Sequence, residues 1–247
     1  MARPNHRLAI LFFAIACAWG QEASRTAPDP TGPSPNPAAT SQQAATQSKH
    51  IFWIIPNYRT TPDRTHYQPL TASEKWHLAW RDSTDPGTFI LAGFLAGIDQ
   101  WTNAHPSFGQ GAQGYFHRFG TNYADLAIGD VMTTAVFPTL LHQDPRYFRW
   151  GEGHSTGSRL GHAVKQIFWT RTDSGGHAVN VSELLGNGVA VGISNAYYPD
   201  GRTVSDNLGR WGQQIGLDMA GNILKEFWPD IARKTHLPHS GVKPTTP

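Results

Sequence analysis

The segment His142-Gln-Asp-Pro-Arg-Tyr147 gathers an imidazole, a carboxylate, a guanidinium and a phenol within six residues. Such a set can supply a general base, the group that orients it and a holder for an anion. The same residues also fit a plainer role, with His142 beside the free carbonyls of a helix C-terminus and an Asp-Pro turn after it. A second polar loop, Thr170-Arg-Thr-Asp-Ser-Gly175, offers Arg171, Asp173 and Ser174 as a place for an anion or other ligand. Two more acids stand on apolar helical faces. Asp130 is in register with Leu126, Val131 and Thr134, and Asp218 with Asn222 continues the stripe Leu208, Trp211 and Ile215. Both are expected to point inward. A buried carboxylate needs a cation or gives up its charge, and Arg118, Arg146, Arg171 and Arg210 are the cations at hand. Two outcomes follow. Either the polar groups knit the helices together, or they line an inter-helix pocket whose catalytic candidates are Asp130, His142, Asp144, Arg146 and Asp218.

Other chemistries find little support. Eleven of the twelve histidines lie beyond the leader, yet none forms an HExxH or HxH arrangement, so no metal site is implied. No GxSxG elbow or phosphate loop occurs, and no dinucleotide fingerprint is assigned, so no cofactor is implied. The single cysteine, Cys17, excludes an intrachain disulfide. The formal charge of +2 includes Arg3 and Arg7; removing a leader that holds both leaves 2 − 2 = 0. A neutral chain carries no electrostatic footprint for nucleic acid, and that partner class is set aside. Protein partners are not specified by any motif.

Those residues need elements to position them. Residues 1–20 read as a secretion signal, with Arg3 and Arg7 ahead of the apolar run Leu8 to Ile15, far shorter than the roughly 20 residues of a span. Two fates are open: cleavage after Ala18-Trp-Gly20, or acylation of Cys17 within Ala14-Ile-Ala-Cys17, a weak lipoprotein box. Residues 21–50, rich in Pro, Ala, Ser, Thr and Gln, cannot repay the entropy of ordering and read as a disordered linker. A tail at 234–247 has the same character. The chain is therefore expected to be exported to the periplasm or outer membrane, with lipid anchoring as one form of that.

The part from 51 to 233 reads as one all-α domain, a Gly-rich bundle of about six helices with a short extended N-terminal arm. Four helix starts carry capping signatures: Thr71-Ala-Ser-Glu74, Asp85-Pro86, Asn180-Val-Ser-Glu183 and Thr203-Val-Ser-Asp206. Apolar residues recur at helical spacing in 86–102 (Ile90, Phe94, Ile98, Trp101), in 120–142 and in 157–171 (Leu160, Val164, Ile167, Phe168). The last helix is expected to stop before Pro229. Glycine costs about 1 kcal/mol relative to alanine inside a helix. Yet Gly93 and Gly97, Gly188 and Gly192, and Gly212 and Gly216 stand four apart, which predicts close backbone approach between helices. Membrane association is the other reading of those faces. The longest uncharged apolar stretch, Gly87 to Ile98, is too short for a span.

Several longer stretches carry a resemblance: Phe108-Gly-Gln-Gly-Ala-Gln-Gly-Tyr115, Leu141-His-Gln-Asp-Pro-Arg-Tyr-Phe148, Thr170 to Gly175, Gly192-Ile-Ser-Asn195 with Tyr197-Tyr-Pro199, and Leu224-Lys-Glu-Phe-Trp-Pro-Asp-Ile231. Together they resemble a family of exported bacterial proteins, over about two thirds of the chain. The resemblance implies an envelope protein and brings no catalytic assignment. The expected function is a non-catalytic packing, scaffolding or membrane-associated role; the alternative is an envelope hydrolase or lipid-handling enzyme.

Overall fold

Helix starts are where the sequence speaks most directly, and four of them form as their caps dictate. In this computed structural model, which describes residues 50–51, 55–62 and 67–234, α1 (Ala72–Ser83) begins with both halves of a capping box between Thr71 and Glu74. α2 (Pro86–Thr102) begins with the Asp85 carboxylate accepting from the Gly87 N–H. α5 (Val181–Ser194) begins with the Asn180 side chain accepting from the Glu183 N–H. α6 (Val204–Lys234) begins with Thr203 and Asp206 exchanging side-chain and backbone bonds. Between them, α3 comprises Gly111–Asp130, a π-helical stretch Val131–Val136 and a last turn Phe137–Leu140. α4 is Thr156–Phe168, capped by Ser155. Among the described residues the result is an all-α bundle of six helices. The leader, Cys17, the linker up to residue 49 and the tail from 235 lie outside the described residues.

Three short strand pairs tie the loops. β1 (His50–Ile51) pairs antiparallel with β2 (Ile55–Pro56), and β3 (Thr60–Pro62) pairs parallel with β4 (Tyr147–Arg149), Thr61 opposite Phe148. β5 (Trp169–Arg171) and β6 (His177–Val179) form an antiparallel hairpin. So the fourth helix ends at Phe168, three residues short of the sequence expectation, because the next three residues pair as a strand. α2 packs on α3, α1 and α5 pack on the π-helical stretch, and α6 packs on both α4 and α5.

Two boundaries differ for a physical reason. α3 starts at Gly111, nine residues before the expected start, on a turn made by Gly109 and Gly111 at positive φ. α6 runs through Pro229 to Lys234 rather than ending before it. Beyond the proline, Ala232 and Ile231 pack with Trp228 and Leu224 against Ile51, and that burial outweighs one missing N–H.

The larger surprise is which face is inside. On α2 the buried residues are Gly87, Thr88, Ala92 and Ala96, while Phe94 is 65% and Trp101 88% exposed. Leu160, Phe168 and Leu208 are exposed as well. The interior holds Lys75, Asp82, Arg118, Asp144 and Glu226 instead. Of the glycine pairs, Gly93 and Gly188 face a neighbouring helix, where a Cβ would lie 3.3 Å from the Tyr115 hydroxyl and 3.7 Å from the Trp211 Nε1, whereas nothing lies within 4 Å of a Cβ placed at Gly97, Gly192, Gly212 or Gly216. Closer approach occurs at Gly186, where a Cβ would meet the Thr133 Cγ2 at 2.9 Å and its backbone N at 3.1 Å. Gly186→Ala is therefore expected to destabilise by roughly 1–3 kcal/mol through overpacking. Gly212→Ala, in open space, is expected to stabilise by up to about 1 kcal/mol. Thermal unfolding of the two variants checks this, and shifts of the same sign would contradict it.

Candidate functional site

The loop after α3 and the β5–β6 hairpin lock into each other. Asp144 N–H donates to the Arg171 carbonyl at 2.9 Å and Asp173 N–H to the His142 carbonyl at 2.8 Å, around an isolated bridge between Gln143 and Thr172. The buried Asp144 carboxylate is filled from three directions. Arg146 grips it through Nε at 2.9 Å and Nη2 at 2.6 Å, the Arg146 N–H donates at 2.9 Å, and the Tyr67 hydroxyl donates at 2.9 Å. That charge-assisted fork holds the loop closed. Gln143 reaches across to the start of α5, accepting from the Ser182 N–H and hydroxyl and donating to the Val179 carbonyl.

The His142 imidazole stands apart from this lock. The residue's backbone is left-handed (φ 52), its side chain is 83% exposed, and its nearest charge is Asp173 at 3.9 Å. Asp173 is held by the buried Lys75 at 2.7 and 2.9 Å, a lysine that also donates to the Pro138 carbonyl. Arg171 lies over the Phe148 ring at 4.4 Å, and Ser174 bonds to Thr172 on the surface. Arg146 borders a shallow cleft of about 470 Å³ lined also by Ser73, Glu74 and His77. Neither His142 nor Asp144 lines it.

Asp130 and Asp218, by contrast, are drawn into one buried network. Arg59, from the turn between β2 and β3, pairs with Asp82 of α1 at 3.0 Å and Asp130 of α3 at 3.4 Å. It also donates to Thr134 at 2.8 Å, and Thr134 donates to Asp130 at 3.1 Å. Thr134 sits in the π-helical stretch, a departure from α-geometry that recurs at functional positions. Across the interior, Asn187 donates to Asp218 at 3.0 Å and to Glu183 at 3.3 Å. Lys225 of α6 completes the set.

Burial dominates the electrostatics here. It pushes the Asp130 carboxyl up to about 7, against the attraction of Arg59. Burial and the neighbouring Asp218 raise Glu183 well above the usual carboxylate range. Lys225 is brought down to about 8 by burial and then by Arg59, against the pull of Asp82, Asp218 and Glu183. One oxygen of Asp82, Oδ1, has no hydrogen-bond partner among the described residues.

A third network has a different balance. Glu226 accepts from the Tyr147 hydroxyl at 2.7 Å, Arg159 Nε at 2.8 Å, and the N–H groups of Gly151 and Trp150 at 2.9 and 3.2 Å. Burial works to raise this carboxyl, but these donors outweigh it and hold it below its usual range. Arg159 also pairs with Asp230 at 2.6 Å.

The cations named from sequence are otherwise engaged. Arg118 is fully buried and donates to the carbonyls of Ala104, His105 and Gly109. Arg210 donates to Ser194, Asn195 and the Gly201 carbonyl. The residues missed include Arg59, Asp82, Lys75, Lys225, Glu183 and Glu226. For Glu226 a signal existed: it follows Ile215 by eleven residues, which returns it to within about 20° of that face. The run Gly109-Gln-Gly-Ala-Gln-Gly114 does have GxGxxG spacing, yet it follows a 3-10 turn and not a strand. A Cβ at Gly114 would lie 2.3 Å from the Gly109 carbonyl oxygen, so these glycines serve the chain's own packing. Among the described residues, no group of three His, Cys, Asp or Glu is placed to hold a metal ion.

No protein-family model matches the chain, and neither a search of curated proteins nor one of solved structures found a match.

The Asp130 environment makes a pH test available. The native carboxyl keeps its proton up to about pH 7, while an unfolded one releases it near 4. Between those values the native state binds more protons, so stability falls as pH rises. Asp130→Asn removes that loss. The Tm of the variant minus that of the wild type should grow by several degrees from pH 5 to pH 8, at roughly 2–4 °C per kcal/mol for a domain of this size. A flat or shrinking difference in thermal unfolding would reject the assignment.

Proposed function

We propose that the chain is an exported cell-envelope protein, of the periplasm or outer membrane, with a non-catalytic packing or scaffolding role. The observation that carries this reading is the closure of the polar groups upon each other. Asp144 is filled by Arg146 and Tyr67, Asp173 by Lys75, and Glu226 by Arg159 and Tyr147, while the His142 side chain stands exposed with Asp173 at 3.9 Å. A general base needs its orienter and a substrate position within hydrogen-bond reach; the loop after α3 uses those groups to fasten α3, the β5–β6 hairpin and α5. The Arg3 and Arg7 leader with its apolar run supports export.

One observation favours an enzymatic second reading, the hydrolase or lipid-handling alternative. Lys225 is an amine brought to about 8 beside Asp82, Asp218 and Glu183, and a desolvated amine of that kind is suited to base or nucleophile chemistry.

The two readings part in a strain lacking the protein. Complementation of its envelope phenotype, such as detergent sensitivity, is measured beside the Tm and cellular level of each variant. On the structural reading, Asp144→Asn loses roughly 3–5 kcal/mol, as expected when one partner of a buried pair is removed, and complementation falls with it. His142→Ala and Ser174→Ala keep stability, level and complementation. Lys225→Met that keeps its Tm and level but fails to complement would overturn the structural reading in favour of the enzymatic one.

A further inference from the structure

The outward faces of α2, α5 and the middle of α6 carry no charge. On α2, every exposed residue from Pro86 to Thr102 is uncharged, and Ile90, Phe94, Ile98 and Trp101 form one stripe. The only charged residue of α2, Asp99, turns inward to accept from Asn122 at 2.7 Å. On α5 the exposed residues are Val181, Gly188, Val189, Gly192 and Ile193. On α6, from Leu208 to Ala220, the exposed residues are glycine, leucine, alanine and Gln213. Arg210 and Asp218 of that stretch bond to α5 or to the loop after it.

A protein folded by water places large apolar groups inside. Here Trp228, Ile51 and Ile167 are buried, but on α2 the buried apolar residues are Ala92 and Ala96, while Phe89, Ile90, Phe94, Ile98 and Trp101 of the same helix stand outside. Apolar surface of this extent marks an interaction site. The geometry selects among occupants. α2 packs on α3, α3 on α5, and α5 on α6, so the charge-free faces belong to helices linked one to the next. A second copy related by a two-fold axis would cover one patch; a lipid phase contacts all of them. No described helix is long and apolar enough to cross a membrane, so the contact is with one face of a bilayer. Trp80 and Trp101, 68% and 88% exposed, have the amphipathic ring that sits at such a boundary.

We propose that the outer faces of α2, of α5 and of α6 between Leu208 and Ala220 are a lipid-contact surface, seated in the acyl-chain region of one leaflet. This deepens the structural reading above by naming the partner of the bundle. With no charge on these faces, binding is apolar and independent of anionic lipid.

The test uses the full chain and phosphatidylcholine vesicles. The wild type should float with the vesicles in 0.5 M salt as well as in low salt, and brominated acyl chains should quench its tryptophan fluorescence. Phe94→Glu with Ile98→Glu, both at exposed positions, should keep the helical circular dichroism and lower vesicle partition at least tenfold. Failure of the wild type to float would overturn the proposal. Equal flotation of wild type and variant would also overturn it, assigning binding to the leader or to an acylated Cys17. So would a dimer in phosphatidylcholine-free buffer that the double substitution abolishes while vesicle binding is absent, since the face would then belong to a second copy. The structural role of the interior is read separately in the Tm of the Asp144 variant, so the two ideas can fail independently.

Discussion

Arg59 is the group on which the middle of the bundle depends. It comes from the turn between β2 and β3, and its position is fixed because its carbonyl accepts from the Tyr147 N–H beside the β3–β4 pair. From there one guanidinium meets Asp82 of α1, Asp130 of α3 and the Thr134 hydroxyl. An exposed ion pair contributes about 0–1 kcal/mol, whereas losing one partner of a buried pair costs roughly 3–5 kcal/mol. The second regime applies at this site. The short N-terminal arm is therefore integral to the bundle, since without it two helices would meet carboxylate against carboxylate.

Even with Arg59 in place the charges do not cancel. Asp82, Asp130, Glu183 and Asp218 face Arg59 and Lys225, four acids to two cations. The difference is met by protons, which is why Asp130 titrates near neutrality and Glu183 above the ordinary range. A polar centre of this kind leaves the large apolar side chains of α2 no room inside. Small residues such as Ala92 and Ala96 form the inner face of α2, and Ile90, Phe94 and Trp101 are displaced outward. The inverted surface and the charged centre are two sides of one packing solution.

That inversion explains what could be read from the chain. Caps act locally, so Thr71, Asp85, Asn180 and Thr203 announced their helices correctly. Periodicity reports that a helix has two faces; it does not say which is buried. The inward direction of Asp130 and Asp218 was legible because each interrupts an apolar stripe. Their cation was not, because Arg59 lies in a turn with no period, 71 residues before Asp130 in sequence order (130 − 59). His142, Asp144 and Arg146 are adjacent in sequence, and of the three the fold joins Asp144 with Arg146 and leaves the His142 side chain exposed. The left-handed backbone at His142 sends the imidazole away from the pair beside it.

Glu226 and Asp130 show what decides the character of a buried acid here. Both are withdrawn from water, which favours the neutral form. Glu226 receives a guanidinium, a phenol and two backbone N–H groups, and stays ionised. Asp130 receives a guanidinium at 3.4 Å, with Thr134 at 3.1 Å and Ser83 at 3.4 Å, all longer than the bonds from Tyr147 and Arg159 to Glu226. Donor number and distance separate the two acids. The region joining β4, α4 and α6 is thus fastened by a charge fixed over the physiological range, while the centre under Arg59 is held by groups that exchange protons within it.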